Sequence, residues 1–194
     1  MKAIIEEILK DSQEVKGAFI RENTPELILL SEKIASAFTG NHKLLLCGNG
    51  GSAADAQHIA AEFVNRYTIE RRPFPAIALT TDSSVITSIG NDYSFDKIFS
   101  KQVQALGTEG DVLLAISTSG NSENVLSAVK DARSKGIYTG ALLGKDGGKI
   151  GEVVDLALIA RCDQTPRIQE AHILAGHIVC HLVDHIIFQR HIAE

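Results

Sequence analysis

His58 and Glu62 stand four residues apart in the stretch LLLCGNGGSAADAQHIAAEF, which runs from Leu44 to Phe63. On a helix this spacing puts both side chains on one face. An imidazole nitrogen and a carboxylate oxygen there make two ligands for zinc, or an acid–base pair; a surface His–Glu pair has the same spacing. A second set of such groups lies near the C-terminus: Gln169, Glu170, His172, His177, His181 and His185. Five of the seven histidines, His191 included, fall from His172 onward. Gln169 and His177 differ by about 80° around a helix, so both can line one cleft. His181 and His185 continue the His177 face and read as polar groups in an interface.

Two glycine- and serine-rich loops offer a different chemistry. Gly48-Asn49-Gly50-Gly51-Ser52-Ala53 follows a short apolar run and formally matches the dinucleotide pattern G-x-G-x-x-A. A dinucleotide fold also needs an acid closing the next strand; Asp82 is the candidate, and it comes late. There is no G-K-[ST] sequence, so no Walker lysine. The second loop, Ser117-Thr118-Ser119-Gly120-Asn121-Ser122, precedes a helix predicted to begin at about Glu123. An N-cap with a polar turn needs only one of its hydroxyls. Four hydroxyls in six residues point instead to a monophosphate, held by neutral donors at the positive end of a helix dipole.

These groups need elements to position them. Apolar residues recur at helical spacing from Ile4 to Ile20, with Ile4, Ile5, Ile8, Val15 and Phe19 on one side. Thr24-Pro25-Glu26 then predicts a second helix, with Thr24 as N-cap, running to about Phe38 and stopping at Gly40. Short apolar runs follow at Lys43–Cys47, Pro75–Leu79, Asp111–Ser117, Tyr138–Leu143 and Leu156–Ile159, with helical patterns between most of them. That alternation predicts an α/β fold with a parallel sheet covered on both faces and its site beyond the carboxyl ends of the strands. Ile89-Gly90-Asn91-Asp92 is read as a loop after the second strand, where Asn91 and Asp92 serve either an Asx turn or a ligand's hydroxyls. A final helix, roughly Pro166 to Gln189, is apolar nearly all round and is expected in an oligomer interface.

Composition narrows the classes. At 194 residues and 44% hydrophobic content the chain can bury one good core. A net charge of −5 leaves no footprint for nucleic acid, and the tightest basic pair, Arg71-Arg72, reads as solvated surface. The N-terminus mixes acids with apolar residues, unlike a signal peptide. The longest apolar stretches look too short or too interrupted by histidine to cross a membrane. Cys47, Cys162 and Cys180 are widely spaced with no CxxC, which fits a reducing cytoplasm.

The segments CGNGGSAADAQH, IGNDYSFD, GDVLLAISTSGNS and RIQEAH resemble the sugar isomerase (SIS) domain family, and within it the phosphoheptose isomerases. The resemblance covers 1–194 as a single SIS domain, with an N-terminal helical pair over 1–40 and an α/β core with the C-terminal helix over 41–194. It implies a flavodoxin-like three-layer sandwich and a cytoplasmic homotetramer that needs neither nucleic acid nor membrane. The implied activity is that of an intramolecular oxidoreductase. It converts sedoheptulose 7-phosphate to D-glycero-D-manno-heptose 7-phosphate, the first step of ADP-heptose synthesis for lipopolysaccharide or related glycans.

The resemblance also implies one Zn2+ per subunit on His58, Glu62, Gln169 and His177. Asn49, Gly50, Gly51, Ser52, Glu62, Asn91, Asp92, Ser117, Thr118, Ser119, Ser122 and Gln169 would meet the substrate. Ketose–aldose exchange needs a base near carbon and an acid or electrophile near oxygen; Glu62 is assigned as base and His177 as acid. One departure stands out: some members carry an acid just before Arg-Ile-Gln-Glu, where this chain has Pro166, with Asp163 the nearest substitute. The alternative function, a non-catalytic scaffold of the same fold binding the replication initiator DnaA, has no use for the base, the acid or the serine loop. A sugar-phosphate-sensing module would need an attached domain for which the chain has no room.

Overall fold

A computed structural model describes residues 1–189; His191 lies outside the described residues. Five parallel strands form one sheet: β1 (Leu44–Gly48), β2 (Ala76–Ala78), β3 (Val112–Ser117), β4 (Tyr138–Gly144) and β5 (Leu156–Ala160). Their order is β2-β1-β3-β4-β5. β1 and β3 are buried along their whole length, as strands covered on both faces must be. Their side chains alternate between two cores. Leu44, Leu46, Val112, Leu114 and Ile116 face one, while Leu45, Cys47, Leu113 and Ala115 face the other.

The first core is roofed by α1 (Lys2–Glu22), α2 (Thr24–Thr39), α3 (Gly51–Val64) and α8 (Thr165–Asp184). The second is closed by α5 (Ser100–Leu106), α6 (Glu123–Ser134) and α7 (Gly148–Gly151), with α4 (Ser83–Asp92) packing at its margin. This is the flavodoxin-like sandwich expected from the sequence. The strand order reverses direction between β1 and β3, so the crevice beyond their carboxyl ends is where such a sheet binds ligands. Gly48 pairs with Ile116 across that boundary, which sets the two polar loops side by side.

Four local expectations are revised. Thr24 is not an N-cap: Asn23 takes that place, and the Thr24 hydroxyl donates back to Ile20 O at 2.7 Å. α1 runs into α2 with one residue between them. Ile89-Gly90-Asn91-Asp92 is the last turn of α4, not a loop. The final helix finds most of its cover within its own chain, against α1, α2 and α3. Unpartnered apolar surface lies instead on α1, where Ile4, Ile5, Ile8 and Leu9 are exposed. Continued by a π-helical turn (His185–Gln189), α8 is also long and apolar enough to span a bilayer by length and composition. Its burial against three helices is the position of a core helix.

Asn23 has a task at the sheet margin. β5 is an edge strand, and Ile159 N–H donates to Asn23 Oδ1 at 3.1 Å while Asn23 Nδ2 faces Ile159 O at 3.5 Å. Asp82, the late candidate for a ribose ligand, caps α4 by accepting from Val85 N at 2.9 Å.

Candidate active site and metal cluster

β1 ends in Gly48, and the chain must turn at once into α3. Gly50 makes that turn at φ 53°, ψ −120°, a conformation that side chains avoid. The turn fixes the start of α3, and Asp55, His58 and Glu62 then follow along the helix. α8 packs against α3 and brings His177 to meet them. His58 Nε2 lies 2.9 Å from His177 Nε2 and 3.3 Å from Glu62 Oε1. One ligand atom from each of His58, Glu62 and His177 falls within 4.8 Å of the others. Gln169, half-buried two turns before His177, projects its amide against Gly51.

Two imidazole nitrogens and a carboxylate form a donor set suited to zinc. Tetrahedral zinc at ~2.0–2.1 Å from each nitrogen places two of them roughly 3.3 Å apart. The observed separation needs to open by only a few tenths of an ångström, so the residues fit the ion.

An aromatic ring flanks the cluster, whose His58 is exposed. Tyr67, in the segment after α3, stacks on His177 with centroids 5.8 Å apart and meets His181 edge-on at 6.2 Å. Burial, with Cys180 and Glu62 nearby, raises its phenol above the usual range. Burial likewise raises the Asp55 carboxyl, though the nearby His58 opposes the shift; one oxygen of Asp55 is buried and unpartnered. His172, by contrast, is structural: fully buried, it bonds Leu143 O at 3.0 Å, and desolvation lowers its pKa to about 4.

The hydroxyls of the second loop are not spent on capping the helix. Ser122 stands at the N-cap of α6 but makes no side-chain cap. Its hydroxyl turns to the Ser117 hydroxyl at 3.2 Å. Ser119 Oγ accepts from Asn121 N at 3.1 Å, and Thr118 and Ser119 are partly exposed. Gly120 turns the loop at φ 65°, and an added Cβ there would sit 2.0 Å from Gly147 O. The polar turn that needs one hydroxyl for a cap is therefore not what this loop is.

Asn49 joins the two loops. It exchanges two 2.9 Å amide hydrogen bonds with Asn124 of α6, a side chain 2% exposed. Its amide is thus committed to the scaffold, leaving backbone at Asn49, Gly50 and Gly51 to face a ligand; Ser52 is buried in the first turn of α3. Asn91 and Asp92 are exposed and bond each other at 2.8 Å. Among the described residues, no hydrogen bond joins them to the His58 cluster. Asp163 is exposed before α8, beside Arg161 and Lys145 in a polar hollow.

Sequence reasoning missed Tyr67, Asn124 and Arg71. Tyr67 is a lone aromatic in a polar stretch, without periodicity to mark it. Asn124 follows the serine loop directly, and that position was its signal. Arg71 was read as solvated surface; its side chain is 1% exposed, paired with Asp184.

With this geometry established, the likeness to known proteins is specific. Residues 8–144 match the model of the SIS domain. The chain is 50% identical to a phosphoheptose isomerase of Clostridium acetobutylicum, with full coverage of both. It is 49% identical to that of Nitratidesulfovibrio vulgaris Hildenborough over 99% of this chain and 92% of the relative. Among solved structures, phosphoheptose isomerase GmhA from Neisseria gonorrhoeae superposes with a TM-score of 0.89 at 44% identity, covering 94% of this chain and 98% of the other. The Francisella tularensis phosphoheptose isomerase gives 0.90 at 39% identity, covering 94% and 97%. From fold, site and sequence together, the chain belongs to the phosphoheptose isomerases of the SIS domain family.

Proposed function

We propose that the protein interconverts sedoheptulose 7-phosphate and D-glycero-D-manno-heptose 7-phosphate, with zinc on His58, Glu62, Gln169 and His177. The observation that carries this is the meeting of His58, Glu62 and His177 across the α3–α8 seam, on the helix that begins at the glycine loop beside the serine loop. The phosphate would lie at Ser117–Ser122 and the start of α6, where neutral hydroxyls and N–H groups bind a dianion. Its role is to hold the sugar's far end so that C1 and C2 reach α3.

Glu62 takes the proton from C1 of the ketose and returns it to C2, passing through an enediolate. His177 moves the proton between the two oxygens. Zinc, when bound, supplies Lewis-acid polarisation of the carbonyl and hydroxyl oxygens. Glu62 has two carboxylate oxygens, so one can serve the ion while the other serves carbon. His177 Nε2, which faces His58, would hold the ion, and Nδ1 would then be left for proton transfer. Tyr67 stacks on the imidazole and fixes the plane of its ring.

The product would enter heptose synthesis for lipopolysaccharide or a related glycan, in the cytoplasm. The exposed apolar face of α1 supports a homotetramer, one zinc per subunit, in which a neighbour brings further groups to the site; Asn91 and Asp92 would then meet a substrate held partly by another copy. A DnaA scaffold needs none of these groups, and no observation favours it. The test is turnover of sedoheptulose 7-phosphate by pure protein, metal-replete and after chelation. Conversion that chelation abolishes and zinc restores is expected; no conversion by zinc-replete protein overturns the proposal.

A further inference from the structure

We infer that Arg71, through its buried pairing with Asp184, is a positioning residue that holds the two ligand-bearing helices in register for the metal. The inference rests on the zinc reading above.

Arg71 lies beyond the end of α3, in the segment leading to β2. Its side chain is 1% exposed and that of Asp184 4%. Nε donates to Asp184 Oδ1 at 2.7 Å, and Nη2 donates to Glu62 O at 2.9 Å. Nη1 donates to Phe63 O at 2.8 Å and reaches Asn65 O at 3.3 Å. The guanidinium also sits over the Phe74 ring, 4.6 Å from its centroid.

These contacts fall on both sides of the metal seam. The carbonyls of Glu62 and Phe63 belong to the last turn of α3, which has no helical donors left to meet them. A cation is also favoured at that end of the helix dipole. Asp184 stands seven residues beyond His177, about two turns along the same face of α8. One planar group therefore grips the backbone of a proposed ligand, Glu62, and a carboxylate on the helix that carries another, His177. Lysine has a single point of charge and cannot span this fork.

A stabilising role alone is a poor account of the pair. Removing two charges from water offsets most of what their attraction gains, and Asp184 Oδ2 is buried without a partner. Registration explains the arrangement better. Metal–ligand distances hold within about ±0.2 Å, so a small slip of α3 along α8 disturbs the cluster without removing any ligand.

The test uses purified full-length protein stripped of metal. Zn2+ affinity is measured by competition with a chromophoric chelator, the cobalt-substituted absorption spectrum is recorded, and inorganic phosphate binding is followed by calorimetry. Arg71→Lys keeps the charge and loses the fork. The double variant Arg71→Met with Asp184→Leu removes both buried charges, so no carboxylate is stranded. Both should bind Zn2+ about 10–100-fold more weakly and shift the cobalt spectrum, with phosphate affinity within about twofold of wild type. If one variant does not fold, the other decides. Wild-type Zn2+ affinity and cobalt spectrum in the variants, with only the melting temperature changed, would overturn the inference. Wild-type protein that binds no Zn2+, or His58→Ala that binds it as tightly as wild type, would instead overturn the metal reading itself.

Discussion

A methyl group added at Gly51 would meet the side chain of Gln169. A Cβ built there lies 2.2 Å from Gln169 Nε2, 3.0 Å from Cδ and 3.4 Å from Oε1. Ordinary contact begins near 3.4 Å, so the amide must retreat by roughly 1.2 Å, a misplacement of the size that costs catalysis about 10²-fold. The fold should not suffer. Gly51 opens α3 without a positive φ, and alanine in place of a helical glycine contributes up to about 1 kcal/mol. Gly51→Ala should therefore melt at or above the wild-type temperature while kcat/KM falls about 10²-fold, near 2.7 kcal/mol of transition-state binding. Turnover, Zn2+ competition and thermal melting, run in parallel, separate these effects. Adding Gln169→Ala to Gly51→Ala should lose little more than Gln169→Ala alone, because both act on the same amide. Full turnover and unchanged Zn2+ affinity in Gly51→Ala would remove Gln169 from the site.

Glu62→Gln keeps size and one ligand oxygen but loses basicity; its turnover should fall about 10²–10⁴-fold and stay low in excess zinc, whereas His58→Ala should partly recover. Zinc rescue of Glu62→Gln to wild-type rates would move the base elsewhere. Ser119→Ala and Ser122→Ala should each raise KM more than they lower kcat, by roughly 1.5–3 kcal/mol for one hydrogen bond to a charged group; unchanged kinetics in both would place the phosphate outside this loop. His172 has its pKa lowered in the folded state to about 4, below an unfolded value near 6.5. The unfolded chain therefore binds the extra proton between those values, and the stability present above about pH 6.5 drains away as pH falls toward 4, by about 3 kcal/mol. Urea midpoints at pH 7 and 4.5 measure this loss, and His172→Gln, still able to donate to Leu143 O, should show less of it; an equal loss would clear His172.

The sheet and its crevice were legible because each buried strand is a short apolar run ending in a polar loop. The spacing of His58 and Glu62 was legible for the same kind of reason: a helix makes sequence distance into direction. The rest depended on tertiary contacts. Nothing in the sequence distinguishes buried Arg71 from exposed Arg72 beside it, since what separates them is a carboxylate 113 residues away. Asn91 and Asp92 sit in a Gly-Asn-Asp string that suits a turn, yet α4 runs through it because Asp82 caps the helix from the other end. The apolar sides of α8 were read as an interface because periodicity cannot say whether a cover comes from the same chain. Tyr67 gave no signal, because one aromatic ring has no pattern.

Asn23 has a consequence for how the protein survives at high concentration. A parallel sheet with an open margin invites another copy's backbone to pair with it. At β5, the Asn23 amide offers Ile159 one acceptor and one donor, which is what an adjoining strand would offer at that residue. One side chain, fixed where two helices meet, thus imitates a sixth strand too short to be extended. On the opposite margin β2 is only three residues long, with Pro73 and Pro75 just before it. A growing chain of sheets would find a false neighbour at one side and proline at the other.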